Sequence, residues 1–138
     1  MAAWLFKTEP GEFSFDDLRA KKVARWDGVK NATALIHLRA AKAGDTVVIY
    51  HTGGEKRAVG LAKVARGPYP DPALDDPKRV VVDLEAGAPL ATPVPLAAFR
   101  ADPLLAQTDL VRITRLSIVP LTAAQLARVR ALAAAPAR

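Results

Sequence analysis

A chain of 138 residues, 51% hydrophobic and 25% charged, is long enough to bury a core in one domain and too apolar to remain disordered. It has no cysteine, which excludes disulfides, thiolate metal sites and a cysteine nucleophile, and its two histidines, His37 and His51, are too few for a zinc site without carboxylate help. The net charge of +6 makes nucleic-acid phosphates candidate partners, and the excess sits in residues 1–69, with 12 Lys/Arg against 7 Asp/Glu. Such charge supplies affinity without sequence choice. The apolar start stops at Lys7, so it is not a secretory signal, and no stretch reaches the length of a membrane span. A soluble cytoplasmic protein is expected, with no membrane partner and no cofactor.

Residues 2–7 read as an apolar, aromatic-rich strand that ends in a Pro-Gly turn. Lys7, Thr8 and Glu9 are polar groups at that strand end, where a rigid scaffold often displays binding residues. Ser14 with Asp17 starts a short helix to about residue 20. Residues 23–25 lead into Trp26-Asp27-Gly28-Val29-Lys30-Asn31, which joins an indole, a glycine turn and an N-cap amide. These six residues can form a wall, a gap and a set of donors around a flat heterocycle. They can equally be core, turn and cap.

Residues 32–43 read as a helix with Leu35 and Leu38 on one stripe and Gly44 as its C′ residue. Residues 45–51 are the clearest strand and end at His51, a candidate for a base edge or a structural hydrogen bond. After the charged turn Glu55-Lys56-Arg57, residues 58–66 form a partner strand in which Gly60 marks a bulge or a close approach. Pro68, Pro70 and Pro72 predict an irregular turn over residues 67–72. Residues 78–85 read as a strand and 87–95 as a Pro-rich connection. Residues 96–100 form a short helix with Pro95 at its first position, and residues 102–106 a further helical turn. A strand over residues 116–120 leads to Thr122 and Gln125, a capping box that opens a closing helix with Leu126, Val129 and Leu132 on its apolar face. One domain over residues 1–134 and a frayed tail over 135–138 are expected. Short strands joined by turns and irregular excursions predict an α+β fold, a mostly antiparallel, partly closed β-barrel with flanking short helices.

Several motifs occur together in order: Trp4-Leu5-Phe6-Lys7-Thr8-Glu9-Pro10, Trp26 to Asn31, Leu38-Arg39-Ala40 with Gly44-Asp45, and Tyr50-His51-Thr52. Val59-Gly60, Tyr69-Pro70-Asp71-Pro72 and Val111-Arg112 through Arg115-Leu116-Ser117 complete the set. In this order and spacing the chain resembles the EVE domain of the PUA-like superfamily, over nearly its whole length and in the stand-alone form. The resemblance implies a barrel related to YTH and ASCH domains, with a pocket for one nucleobase turned out of its strand, notably a modified cytosine in DNA. By position it makes Trp26 a stacking wall and brings Asn31 and the backbone near Val29 to the base edge. Lys7, Thr8 and His51 would line the pocket, and Arg112 would stand close by, pairing with a phosphate or holding Glu9. Lys30 stands where Arg is common, and Ala32, Leu35 and Ile36 depart from the pattern, as does the absence of Trp from Val80-Val81-Val82. A roomier or less polar pocket is implied.

The leading reading is a non-enzymatic module that binds nucleic acid, DNA ahead of RNA, and reads a flipped, modified base. Lys21, Lys22, Arg25, Lys30, Lys56 and Arg57 would attract the phosphates. Two alternatives stand beside it. One is a hydrolase of a modified nucleobase or nucleoside that uses Lys7, Thr8 and Glu9, although strand alternation should turn Thr8 away from the other two. The other is a basic adaptor without a base pocket.

Overall fold

In the computed structural model, which describes residues 2–134, two largely buried strands lie side by side in the interior of one six-stranded sheet. The predicted fraying of residues 135–138 lies outside the described residues. β1 (Ala3–Thr8) and β3 (Thr46–His51) are buried along most of their length and pair in parallel, Ala3 opposite Thr46 and Thr8 opposite His51. A parallel pair needs a long crossover. Here it carries α1 (Phe15–Lys21), β2 (Val23–Trp26) and α2 (Ala32–Ala40). The other ladders are antiparallel: β1 with β6 (Ile118–Leu121), β3 with β4 (Arg57–Pro70), and β5 (Val80–Pro95) with both β4 and β2. The order across the sheet is β2-β5-β4-β3-β1-β6. The sheet is therefore open, and the partly closed barrel expected above is corrected. Its two edges, β2 and β6, are strands of 4 residues that form no ladder with each other.

Two stretches read as irregular are strand. β4 runs on to Pro70 and β5 through Pro95, although residues 67–72 and 87–95 are rich in proline. Proline lacks a ladder N–H, so it is tolerated at bulges and edges. Both occur here. The β4–β5 register shifts repeatedly between Ala58 and Tyr69, and β2 pairs with residues 82–85 of β5, which leaves the later part of β5 without a strand on that side. Residues 23–25, read as a lead-in, form the edge strand β2 together with Trp26.

Helix ends also moved. α2 stops at Ala40 with Ala41 as C-cap, and Gly44 (φ 95°) turns the chain toward β3 without capping the helix. Pro95 is the N-cap of α3 (Leu96–Ala101), one position before the place predicted for it. A 3₁₀ turn spans Leu105–Gln107, α4 is Asp109–Arg112, and the last strand starts at Ile118. Both capping boxes form. Ser14 N–H donates to Asp17 Oδ2 (2.8 Å) and Asp17 N–H to Ser14 Oγ (3.0 Å). Thr122 N–H donates to Gln125 Oε1 (2.9 Å) and Gln125 N–H to Thr122 Oγ1 (3.1 Å) at the start of α5 (Ala123–Ala134).

Phe6, Leu18, Leu38, Ile49, Leu84, Phe99 and Leu116 are fully buried in one hydrophobic cluster. Gly60 is part of its construction. A Cβ added there would lie under 3.0 Å from three atoms of the Phe15 ring, the first residue of α1. Gly60→Ala is expected to destabilise the fold by about 3 kcal/mol, the upper end for overpacking, because ring and strand backbone must both shift. A urea midpoint equal to that of the parent protein would contradict this. Among the described residues, no helix is long and apolar enough to cross a membrane.

Candidate functional site

Trp26 closes the edge strand β2, opposite Val82 of β5. Its ring lies against Phe6 (centroids 5.6 Å apart, tilted) and meets Phe13 edge to face (6.0 Å, 80°). Trp26 is 7% exposed, so most of the indole is core. Its remaining surface faces an open cavity of about 570 Å³. The end of β1 contributes Lys7 and Thr8, the following turn and loop Glu9, Glu12 and Phe13, α1 its last residue Lys21, and β2 with the residue after it Ala24, Arg25 and Asp27. A volume in the range of small-molecule sites accommodates one nucleobase. Three cationic and three acidic side chains line it together with two aromatic rings.

Lys7, Thr8 and Glu9 all line this cavity, although the Lys7 amine and the Thr8 hydroxyl are directed to different backbone carbonyls. β1 ends at Thr8, so Glu9 already lies in the turn and is free of the strand pleat. Lys7 is half-buried and its Nζ donates to the Thr114 carbonyl (3.0 Å). That burial pushes its ammonium below the ordinary lysine pKa. Thr8 Oγ1 donates to the Phe13 carbonyl (2.6 Å), which ties the strand end to the loop. Glu9 accepts from Gly11 N–H (3.2 Å) and more weakly from Thr52 Oγ1 (3.5 Å). Gly53 (φ 72°) packs on the same carboxylate, where a Cβ would come within 2.7 Å of Oε2. Among the described residues no cluster of three or more His, Asp or Glu is placed to hold a metal ion.

The EVE domain family matches residues 2–132. The chain belongs to the EVE domain family. It is 32% identical to thymocyte nuclear protein 1 of Mus musculus over 86% of this chain and 68% of the relative. With the Homo sapiens protein it shares 31% over 71% of this chain and 55% of that relative, so it spans little more than half of the human protein. Among solved structures, a Rhodopseudomonas palustris protein is 41% identical with a TM-score of 0.91, covering 96% of this chain and 93% of that one. The human THYN1 protein, solved in complex with DNA containing 5-methylcytosine, is 29% identical with a TM-score of 0.90, covering 99% and 100%.

In this EVE domain, four residues predicted at the base pocket do not line the cavity. Asn31 caps α2, its Oδ1 accepting from Ala34 N–H (3.0 Å), which holds the amide at the helix end. Val29 is buried in the core, and its carbonyl accepts from Arg79 Nε (3.0 Å). His51 is buried: Nε2 accepts from Phe15 N–H (3.0 Å), which leaves Nδ1 to donate to Glu55 Oε1 (2.9 Å). The histidine anchors the start of α1, and its hydrogen bond holds the Glu55 carboxyl below the usual range. Arg112 is exposed on α4 and neither lines the cavity nor pairs with Glu9.

The six predicted phosphate contacts are all exposed but divide by position. Lys21 and Arg25 line the cavity. Lys22 borders a separate depression beside Arg19, and Lys56 a second, smaller cavity. Arg57 is paired with Glu55 (3.3 Å), and Lys30 has no ion pair among the described residues. A hydrogen bond with Tyr69 raises the Arg25 pKa, and Tyr69 in turn donates to Asp83 Oδ1 (2.5 Å).

Sequence reasoning missed Glu12, Phe13 and Ala24 as lining residues of the EVE cavity, and gave Asp27 no role of its own within the Trp26 stretch. Phe13 did carry a signal. An apolar residue just before the N-cap Ser14 often staples onto its helix, which marks Phe13 as fixed at the helix entry; its contact with Trp26 is tertiary.

Proposed function

We propose that this EVE domain binds DNA without catalysis and draws one modified base, a methylated cytosine foremost, out of its stack into the cavity beside Trp26. The observation that carries the reading is that cavity: an aromatic edge, acidic acceptors and a half-buried ammonium around a space of nucleobase size. The human THYN1 complex with 5-methylcytosine DNA supports it. Flipping a base costs a few kcal/mol, and stacking on an aromatic side chain returns roughly 1–3 kcal/mol. These nearly cancel, so selectivity falls to the base edge and its substituent. Carboxylates accept from the cytosine amino group, which suits Glu9, Glu12 and Asp27 better to cytosine than to thymine. An ammonium such as Lys7 suits the acceptor side of the ring. Burying one methyl adds about 0.8 kcal/mol, close to fourfold in affinity.

A hydrolytic reading draws on the shared position of Lys7, Thr8 and Glu9. Against it, Thr8 Oγ1 and Lys7 Nζ both donate to backbone carbonyls, so the hydroxyl and the amine are not aimed at each other as nucleophile and base. The test is a titration of oligonucleotides that differ at one base, with the nucleosides recovered and analysed afterwards. Expected are about fourfold or tighter binding of 5-methylcytosine DNA over cytosine DNA, weaker binding of the RNA equivalent, and unchanged nucleosides. Equal affinities across the set would refute base reading, and an altered nucleoside would refute the absence of catalysis.

A further inference from the structure

A second cavity, of about 240 Å³, lies beside the first and shares Lys7 with it. Its charge is of one sign. Lys7 from β1, Lys56 from the β3–β4 turn and Arg100 from α3 converge on it, and no Asp or Glu is among its lining residues. None of the three cations is in an ion pair among the described residues. Glu9 reaches Thr52 at 3.5 Å and lines the first cavity, not this one. Three like charges brought together from separate elements repel one another unless an anion lies between them.

Two further observations point inward. Tyr50 lines the cavity and is 3% exposed, yet its hydroxyl has no hydrogen-bond partner among the described residues. Among the described residues no buried side-chain oxygen lacks a partner, so the unpartnered Tyr50 oxygen is open to the cavity and available to a guest. Lys7 is half-buried without a counter-ion, and dehydration holds its pKa down, a bias that an adjacent anion would reverse. Apolar walls from Leu96 and Leu110 would strengthen such charge-assisted bonds by excluding water.

We propose that this second cavity is a phosphate site, and that it holds the phosphodiester adjoining the base seated in the first cavity. Lys7 stands between the two and faces both. The placement rests on the DNA reading above. Arg100, Tyr50 and Thr52 join Lys56 and Lys7 as residues that hold the strand, while Trp26 and the acidic residues hold the base. Because the phosphate is common to every sequence, the site contributes affinity and register but no preference for a modification.

The test uses the whole chain and a DNA carrying one 5-methylcytosine. Arg100→Gln and Lys56→Gln are each expected to weaken binding about tenfold at physiological salt, as for a lost charge-assisted bond. Each should flatten the plot of log affinity against log salt by about 0.9, while Arg100→Lys keeps the slope. Neutral methylphosphonate replacing the phosphates flanking the modified base, one at a time, should cancel the Arg100→Gln effect at one position and not at others. Unchanged affinity and slope in both variants would overturn the proposal, as would a mutant effect that persists at every methylphosphonate position. Millimolar inorganic phosphate that shifts the NMR signals of Tyr50 and Lys56 while the DNA slopes stay the same would mark a free-anion site and overturn the strand placement. If the parent protein binds methylated and plain DNA equally, base reading fails, but the salt slopes on plain DNA still decide the phosphate site.

Discussion

Trp26→Ala is expected to remove about 3–5 kcal/mol of fold stability, because the indole is a core side chain as well as a cavity wall. The ring is 7% exposed and stands between Phe6 and Phe13. Truncating it leaves a void that a four-residue edge strand cannot close without losing its ladder to β5. Alanine therefore confounds two roles, and Trp26→Leu and Trp26→Phe separate them. Leucine keeps much of the apolar volume but offers no aromatic face, so oligonucleotide binding should fall about tenfold with a smaller stability loss, in line with about 1–3 kcal/mol per stacked base. Phenylalanine keeps a ring and should stay within a few-fold of the parent. Urea unfolding and fluorescence-anisotropy titrations measure the two effects. Equal binding by the leucine and parent proteins would remove Trp26 from the proposed base site.

Asp45→Ala is the second large loss, expected at about 3 kcal/mol or more, since it orphans several donors at once. Asp45 is 4% exposed, and its carboxylate accepts from Trp4 Nε1 (3.0 Å), Lys42 N–H (2.8 Å) and Ala2 N–H (3.2 Å). Those bonds join the start of β1, the Trp4 indole and the turn between α2 and β3. They hold the entry to the parallel β1–β3 pair, whose far ends present Lys7, Thr8 and Thr52. Asp45→Asn should cost less, because one amide oxygen still accepts while the NH₂ faces a donor. Chemical unfolding of both variants decides it, and a loss below about 1 kcal/mol for alanine would show that water replaces the carboxylate.

Local chemistry made much of this fold legible. The two helix-capping signals, the Val-rich strands and the turn after β1 each rest on residues close together in the chain, and each formed. The proline-rich stretches were misread for a long-range reason. Whether a missing N–H matters depends on whether a neighbouring strand needs it, and in β5 that is set by how far β2 extends. His51 was ambiguous for a similar cause: its partner is the backbone N–H of Phe15, 36 residues earlier, which no local pattern announces.

Composition and motif order, by themselves, determined the family and the basic character, because those properties belong to individual side chains and their spacing. Tertiary structure alone decided that the sheet is open, that Asn31, Val29, His51 and Arg112 lie away from the cavity, and that Lys56 and Arg100 meet Lys7 at a second one. Edge closure and the convergence of charge depend on where distant strands and helices come to rest. That position follows from the burial of the whole apolar surface together, which no single segment encodes.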